Sequence, residues 1–124
     1  MDDTLSITVK NHSDIIQARM RVRNLARGAG LNTADQARIS LATSSLAQTL
    51  RMGERHQGRI DVHFLKDEAK RTGVHVVCLL IAPEDCAPAL NALKDTKWML
   101  MVDELNIETL PSKDVKVTAI KWAG

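Results

Sequence analysis

Apolar and polar residues alternate from Leu5 to Val9, the two-residue period of a half-buried strand. Asn11, His12 and Ser13 interrupt it, and Ser13 is placed to cap a helix whose first turn carries Asp14. Ile15, Ala18, Val22, Leu25 or Ala26, and Ala29 then recur at helical spacing, and Gly28 and Gly30 end the run. Thr33 predicts a second cap, for a helix from Ala34 to about Met52 with Ile39, Ala42, Leu46 and Leu50 inward. Its opposite side, with Arg38, Leu41, Ser45 and Gln48, is markedly polar.

Gly53 and Gly58 bracket a loop, and residues 59–65 alternate again with Ile60, Val62 and Phe64 on one face. A polar connection leads to Val74–Ile81, an almost wholly apolar run that reads as a central strand. Pro83 stops that strand. A short helix is expected from about Glu84 to Leu93, kinked or started by Pro88, and another from Lys97 to Leu105 with Trp98, Met101 and Val102, or Leu105, inward. Asn106–Thr109 and Val115–Trp122 read as an antiparallel pair joined by the turn LPSKD. Strands and helices are segregated along the chain. The expected fold class is therefore α+β, a two-layer α/β sandwich with a mixed, mostly antiparallel sheet and helices on one face. No repeat or linker divides the chain, so residues 1–124 are expected to form a single domain.

Composition narrows the function classes. The aromatic residues are Phe64, Trp98 and Trp122, too few for a base-stacking or sugar-stacking surface. The net charge is only +2, so phosphate neutralisation and nucleic acid are not expected business. No apolar run reaches bilayer length, and the start MDDTLSITVK is acidic and polar, so neither a membrane nor a signal peptide is expected and the location is read as cytoplasmic. The near-neutral total hides an asymmetry. Between Asp14 and Arg59 stand eight arginines, no lysine and three acids, while every later basic residue except Arg71 is a lysine. Arginine is the bidentate partner for carboxylates, which makes the first half the expected contact surface.

Two stretches carry a resemblance that spans essentially the whole chain. DIIQARMRVRNLARGAGLNTADQARISLATSSLAQTL resembles the first two helices of anti-sigma-factor serine kinases and related switch kinases of bacterial partner-switching systems, in the histidine-kinase-like ATPase superfamily (GHKL, Bergerat fold). WMLMVDELNIETLPSKDVKVTAIKW resembles that family's closing segment, in which Met101, Asp103, Glu104, Leu105, Ile107, Lys121 and Trp122 fit the recurring phrase. The resemblance implies the histidine-kinase-like ATPase fold.

It also implies three nucleotide elements, and this chain departs from each. Active members carry Glu-Leu-x-x-Asn on the second helix, where the Asn holds magnesium and the Glu prepares the attacking group. Here that run is Ser45-Leu46-Ala47-Gln48-Thr49. A serine is no base near neutral pH without a partner, and a threonine hydroxyl is a weaker magnesium ligand than an amide or carboxylate oxygen. Gln48 stands one position early, about 100° around the helix. The Asp-x-Gly-x-Gly element after the central strand has become Leu80-Ile81-Ala82-Pro83-Glu84-Asp85, with Ile81 or Ala82 at the adenine-reading acid. Between Asp85 and Trp98 no glycine remains for a phosphate-wrapping lid.

Ser45, Gln48 and Thr49 are thus expected to be a degenerate nucleotide and magnesium site, with no catalytic residue and no cofactor. Arg19, Arg23 and Arg27 form an i, i+4, i+8 row expected to bind a protein partner: an antagonist-type domain, a sigma factor, or a fused or associated phosphatase module. A homodimer is left open. The expected function is a regulatory protein-interaction domain without ATP hydrolysis or kinase activity. The alternative is an active ATP-binding serine/threonine kinase with an atypical pocket, using ATP and magnesium. His56, His63 and His75 are read as polar surface residues with no metal, and Cys78 and Cys86 as unreactive.

Overall fold

The computed structural model describes residues 4–124; Met1, Asp2 and Asp3, read above as part of the acidic start, lie outside the described residues. The order is β1 (Thr4–Val9), α1 (His12–Gly28), α2 (Thr33–Thr49), β2 (Gly58–Lys66), β3 (Thr72–Leu80), α3 (Ala87–Ala92), a 3-10 helix (Thr96–Leu100), β4 (Glu104–Thr109) and β5 (Val115–Trp122). The five strands form one sheet in the order β1-β2-β3-β5-β4, and every ladder is antiparallel. The expected parallel component is absent from this sheet among the described residues, and the parallel bridge between Met52 and His56 lies outside the strands. The α+β sandwich read from the sequence is the observed architecture.

Register explains the two layers. Ile7, Ile60, Cys78, Val117 and Ile107 lie in one row across the sheet, and Leu5, Val62, Val76, Ala119 and Leu105 in the next. These side chains share a face, since strand neighbours two apart point the same way. Helix α1 lies over β1, β2 and β3, and α2 over β3. Ile15, Ala18, Val22 and Ala26 of α1 and Ile39, Ala42, Leu46 and Leu50 of α2 are buried with that face in one core. Truncating a fully buried leucine such as Leu46 to alanine removes roughly 2–5 kcal/mol. Among the described residues no helix is long and apolar enough to cross a membrane.

The helix ends differ from the sequence reading in instructive ways. Asn11, not Ser13, caps α1: its side chain accepts from the Asp14 backbone N–H at 3.3 Å, and the Asp14 carboxylate accepts from Lys10 N–H at 2.8 Å. Asn32, not Thr33, caps α2 by accepting from Asp35 N–H at 2.8 Å. In both cases the amide side chain stands one or two residues earlier than the hydroxyl and reaches the third N–H of the helix. Helix α1 ends as expected at Gly28, with Gly30 left-handed at φ +88° and Leu31 N–H returning to Ala26 C=O. Helix α2 ends at Thr49 rather than near Met52, because Arg51 takes the left-handed position (φ +54°) while Met52 N–H returns to Ala47 C=O.

The expected helix from Lys97 to Leu105 is a correction. Only Thr96–Leu100 is helical, in a 3-10 turn capped by Asp95. Asp103 N–H is taken by Ile120 C=O at 2.8 Å, and Glu104 and Leu105 pair with Ile120 and Ala119 of β5. Sheet hydrogen bonding wins over helical periodicity here. The helix expected from Glu84 shrinks to Ala87–Ala92, with Pro88 in its first turn and Asp85 left-handed at φ +53° ahead of it.

Candidate functional site

Helix α2 carries the positions at issue. Thr43 and Ser44, buried toward the α1 side, donate to the carbonyls of Ile39 and Leu41 in their own helix, and Ser40 donates across to Arg19 C=O at 3.2 Å. Of these hydroxyls only that of Ser40 ties α2 to α1. Ser45 and Thr49, half-buried, stand one helical turn apart on α2. Their hydroxyls and the Gln48 amide make no hydrogen bond with any described residue. Gln48 is exposed and lines a cleft of about 320 Å³ beside the start of α1, with Asn11, His12, Ile15 and Arg51. The structure therefore brings Ser45 and Thr49 together and sets Gln48 against α1.

The segment after β3 is fastened at three points. Ile81 N–H donates to Gln57 C=O at 2.9 Å, Ala82 N–H to the Asp114 carboxylate at 2.8 Å, and His56 Nε2 meets Glu84 C=O at 3.0 Å. The His56 Nδ1 faces Leu50 C=O at 2.8 Å, so this one imidazole ties the end of α2 to the loop before α3. A neutral ring donates to only one of the two carbonyls at a time. Sequence reading missed both clasps. Asp114 is legible only as a turn residue and His56 only as an isolated histidine. Beyond them, Leu93, Trp98 and Val102 are buried in the same core as Leu46, and the Trp98 indole N–H donates to Ala92 C=O at 3.0 Å.

Arg19, Arg23 and Arg27 are all exposed along α1. Arg27 donates to Asn24 at 3.2 Å, whereas the guanidiniums of Arg19 and Arg23 meet no described residue.

On the sheet face away from the helices, His63 and His75 are direct partners across β2 and β3, with ring centroids 5.3 Å apart. His63 Nδ1 also meets the Thr4 hydroxyl at 3.0 Å. Burial, then the charge of His63 and that of Lys116, hold the His75 imidazole below its ordinary range. Among the described residues no three His, Cys, Asp or Glu side chains converge as metal ligands do. Cys78 is fully buried, and burial followed by the charge of Asp61 pushes its thiol up to about 12.

No family model matches this chain. Its sequence is similar to that of the serine/threonine-protein kinase RsbT of Bacillus subtilis (strain 168), with 27% identity and 98% of each chain covered. The alignment runs over 138 positions against the 124 residues of this chain, so at least fourteen residues of that relative have no counterpart here.

Proposed function

We propose that this chain is a regulatory protein-interaction domain of a bacterial partner-switching system, working in the cytoplasm without ATP hydrolysis or kinase activity. The observation that carries this reading is the donor set on α2. Where the resembling kinases need a carboxylate and an amide one turn apart, this chain offers the Ser45 and Thr49 hydroxyls. Neither supplies a base or a firm magnesium ligand, so these residues do not fit a magnesium–nucleotide complex. Two further features support the reading. By the resemblance, Ile81 or Ala82 falls at the adenine-reading acid, and Leu93, Trp98 and Val102, in the stretch that would form a lid, are buried. Binding then falls to the protein's surface, with Arg19, Arg23 and Arg27 meeting an acidic face on an antagonist-type domain, a sigma factor or an associated phosphatase module.

The likeness to a serine/threonine-protein kinase favours one rival, an active serine/threonine kinase with an unusual pocket. Thermal unfolding in millimolar Mg-ATP separates the two. A ligand at a hundred times its dissociation constant stabilises by about 2.7 kcal/mol. The proposal expects an unchanged melting temperature, and a clear rise would support the kinase. The docking half is tested with Arg19→Glu/Arg23→Glu in pull-downs from the source organism, where partner recovery drops while the fold is kept.

A further inference from the structure

Three large apolar side chains stand in solvent on the helical layer: Ile16 at 41%, Met20 at 60% and Leu41 at 52% exposure. Helices α1 and α2 pack side by side, and the Ser40–Arg19 hydrogen bond marks one level of the pair, with Met20 and Leu41 each the next residue along. Ile16 precedes Met20 by one turn of α1. Around them Arg19, Arg21, Arg23, Arg27 and Arg38 are exposed. The acids of the two helices are Asp14 and Asp35, and both are committed. Asp14 accepts from Lys10 N–H, while buried Asp35 pairs with Arg38 at 2.8 Å and with Lys121 at 3.6 Å. No carboxylate on this ridge is free among the described residues, and the guanidiniums of Arg19, Arg21 and Arg23 have no partner there.

We infer that the α1–α2 ridge docks an acidic amphipathic helix of a partner protein, with Ile16, Met20 and Leu41 receiving its apolar stripe and Arg19, Arg23 and Arg27 its carboxylates. This rests on the interaction reading above and adds the partner's chemistry and the α2 contribution. An apolar centre within a cationic border is what a helix with an i, i+3, i+4, i+7 apolar face and acidic flanks complements. Methionine adapts its shape to such a face, and arginine suits carboxylate recognition. A second copy of the chain is the wrong occupant for this ridge, because self-docking would set guanidinium against guanidinium. Nucleic acid would use the arginines and leave the three apolar side chains without a role.

Fluorescence anisotropy with the full chain tests this. The probes are a short synthetic helix with leucine at i, i+3, i+4 and i+7 and glutamate elsewhere, its twin with lysine for glutamate, and a random-sequence DNA duplex. The acidic helix is expected to bind and the lysine twin not to bind. Met20→Ala/Leu41→Ala is expected to weaken the acidic helix about tenfold, as truncating central contacts does, and Arg19→Glu/Arg23→Glu to weaken it at least as much. Circular dichroism confirms that both variants fold. Equal binding of the twin helices overturns the inference. So does duplex binding that competes with the acidic helix and ignores Met20→Ala/Leu41→Ala. Loss of binding with the arginine reversals alone also overturns it and leaves the interaction reading standing. Indifference to both variants, here and in the pull-down, removes both.

Discussion

The Asp103 carboxylate holds the end of β5 through Trp122. One oxygen accepts from the Trp122 backbone N–H at 2.8 Å, and the other accepts from Lys121 Nζ at 3.1 Å. The Trp122 indole N–H in turn donates to Glu104 at 3.1 Å, and the Arg71 guanidinium lies 4.3 Å over the ring. The residues that carry the family resemblance in the closing segment are thus a structural clasp between β4 and β5. Asp103→Ala should lower stability by roughly 1–2 kcal/mol, as expected for charge-assisted bonds at a half-exposed site. Asp103→Asn, which keeps an acceptor, should lose less. Urea midpoints of the two variants check this, and equal, negligible losses would refute it.

Arg51 occupies the left-handed position that ends α2, at φ +54°. That conformation disfavours a residue with a Cβ by roughly 1–2 kcal/mol, part of which glycine gives back through unfolded-chain entropy. Its ion pair with Glu54 is exposed on both sides and contributes little. Arg51→Gly is therefore expected to stabilise the fold by about 0.5–1 kcal/mol, whereas Arg51→Ala keeps the backbone penalty and brings no gain. Thermal denaturation decides it, and a lower melting temperature for the glycine variant would count against the assignment.

The lowered His75 imidazole gives a directional pH dependence. Between the lowered folded value and the ordinary value near 6.5, the unfolded chain binds more protons at this residue than the folded one. Stability contributed here is complete above the ordinary value and declines as pH falls through that window. His63 and Lys116 face the same region, and after burial they are part of what lowers this value. His75→Gln should flatten the decline of the urea midpoint between neutral and mildly acidic pH. An unchanged slope would show that other groups govern it.

The two thiols should behave differently. Cys78 is fully buried on β3 with its thiol pushed up to about 12, so almost no thiolate forms at neutral pH. Cys86 is half-buried at the head of α3. Under native conditions an aromatic disulfide reagent should label Cys86 alone, and both after denaturation. Native labelling of Cys78, followed by mass spectrometry, would mean that β3 opens far more readily than its central place implies.

How far the sequence could be read depended on the range of the interaction. The apolar run Val74–Ile81 announced the central strand, and β3 lies with β2 on one side and β5 on the other. The alternation of residues 59–65 announced which side chains of β2 face the helices, and Ile60 and Val62 are fully buried. The arginine row was visible from spacing alone. Residues 97–105 were not, because a helical period in isolation was overruled by pairing with β5, a partner some fifteen residues away. The direction of Gln48 and the clasps made by His56 and Asp114 were equally hidden, for each depends on a segment distant in the chain.

Residue chemistry and period, both local properties, sufficed to determine the α+β layering and to place Ser45 and Thr49 one turn apart on the second helix. Only the tertiary structure decided that Ile16, Met20 and Leu41 are left exposed on the helical layer, and that the segment ending at Trp98 and Val102 closes into the core. Hydrophobic period follows from the geometry of a single element, whereas burial is a property of whatever other elements pack upon it.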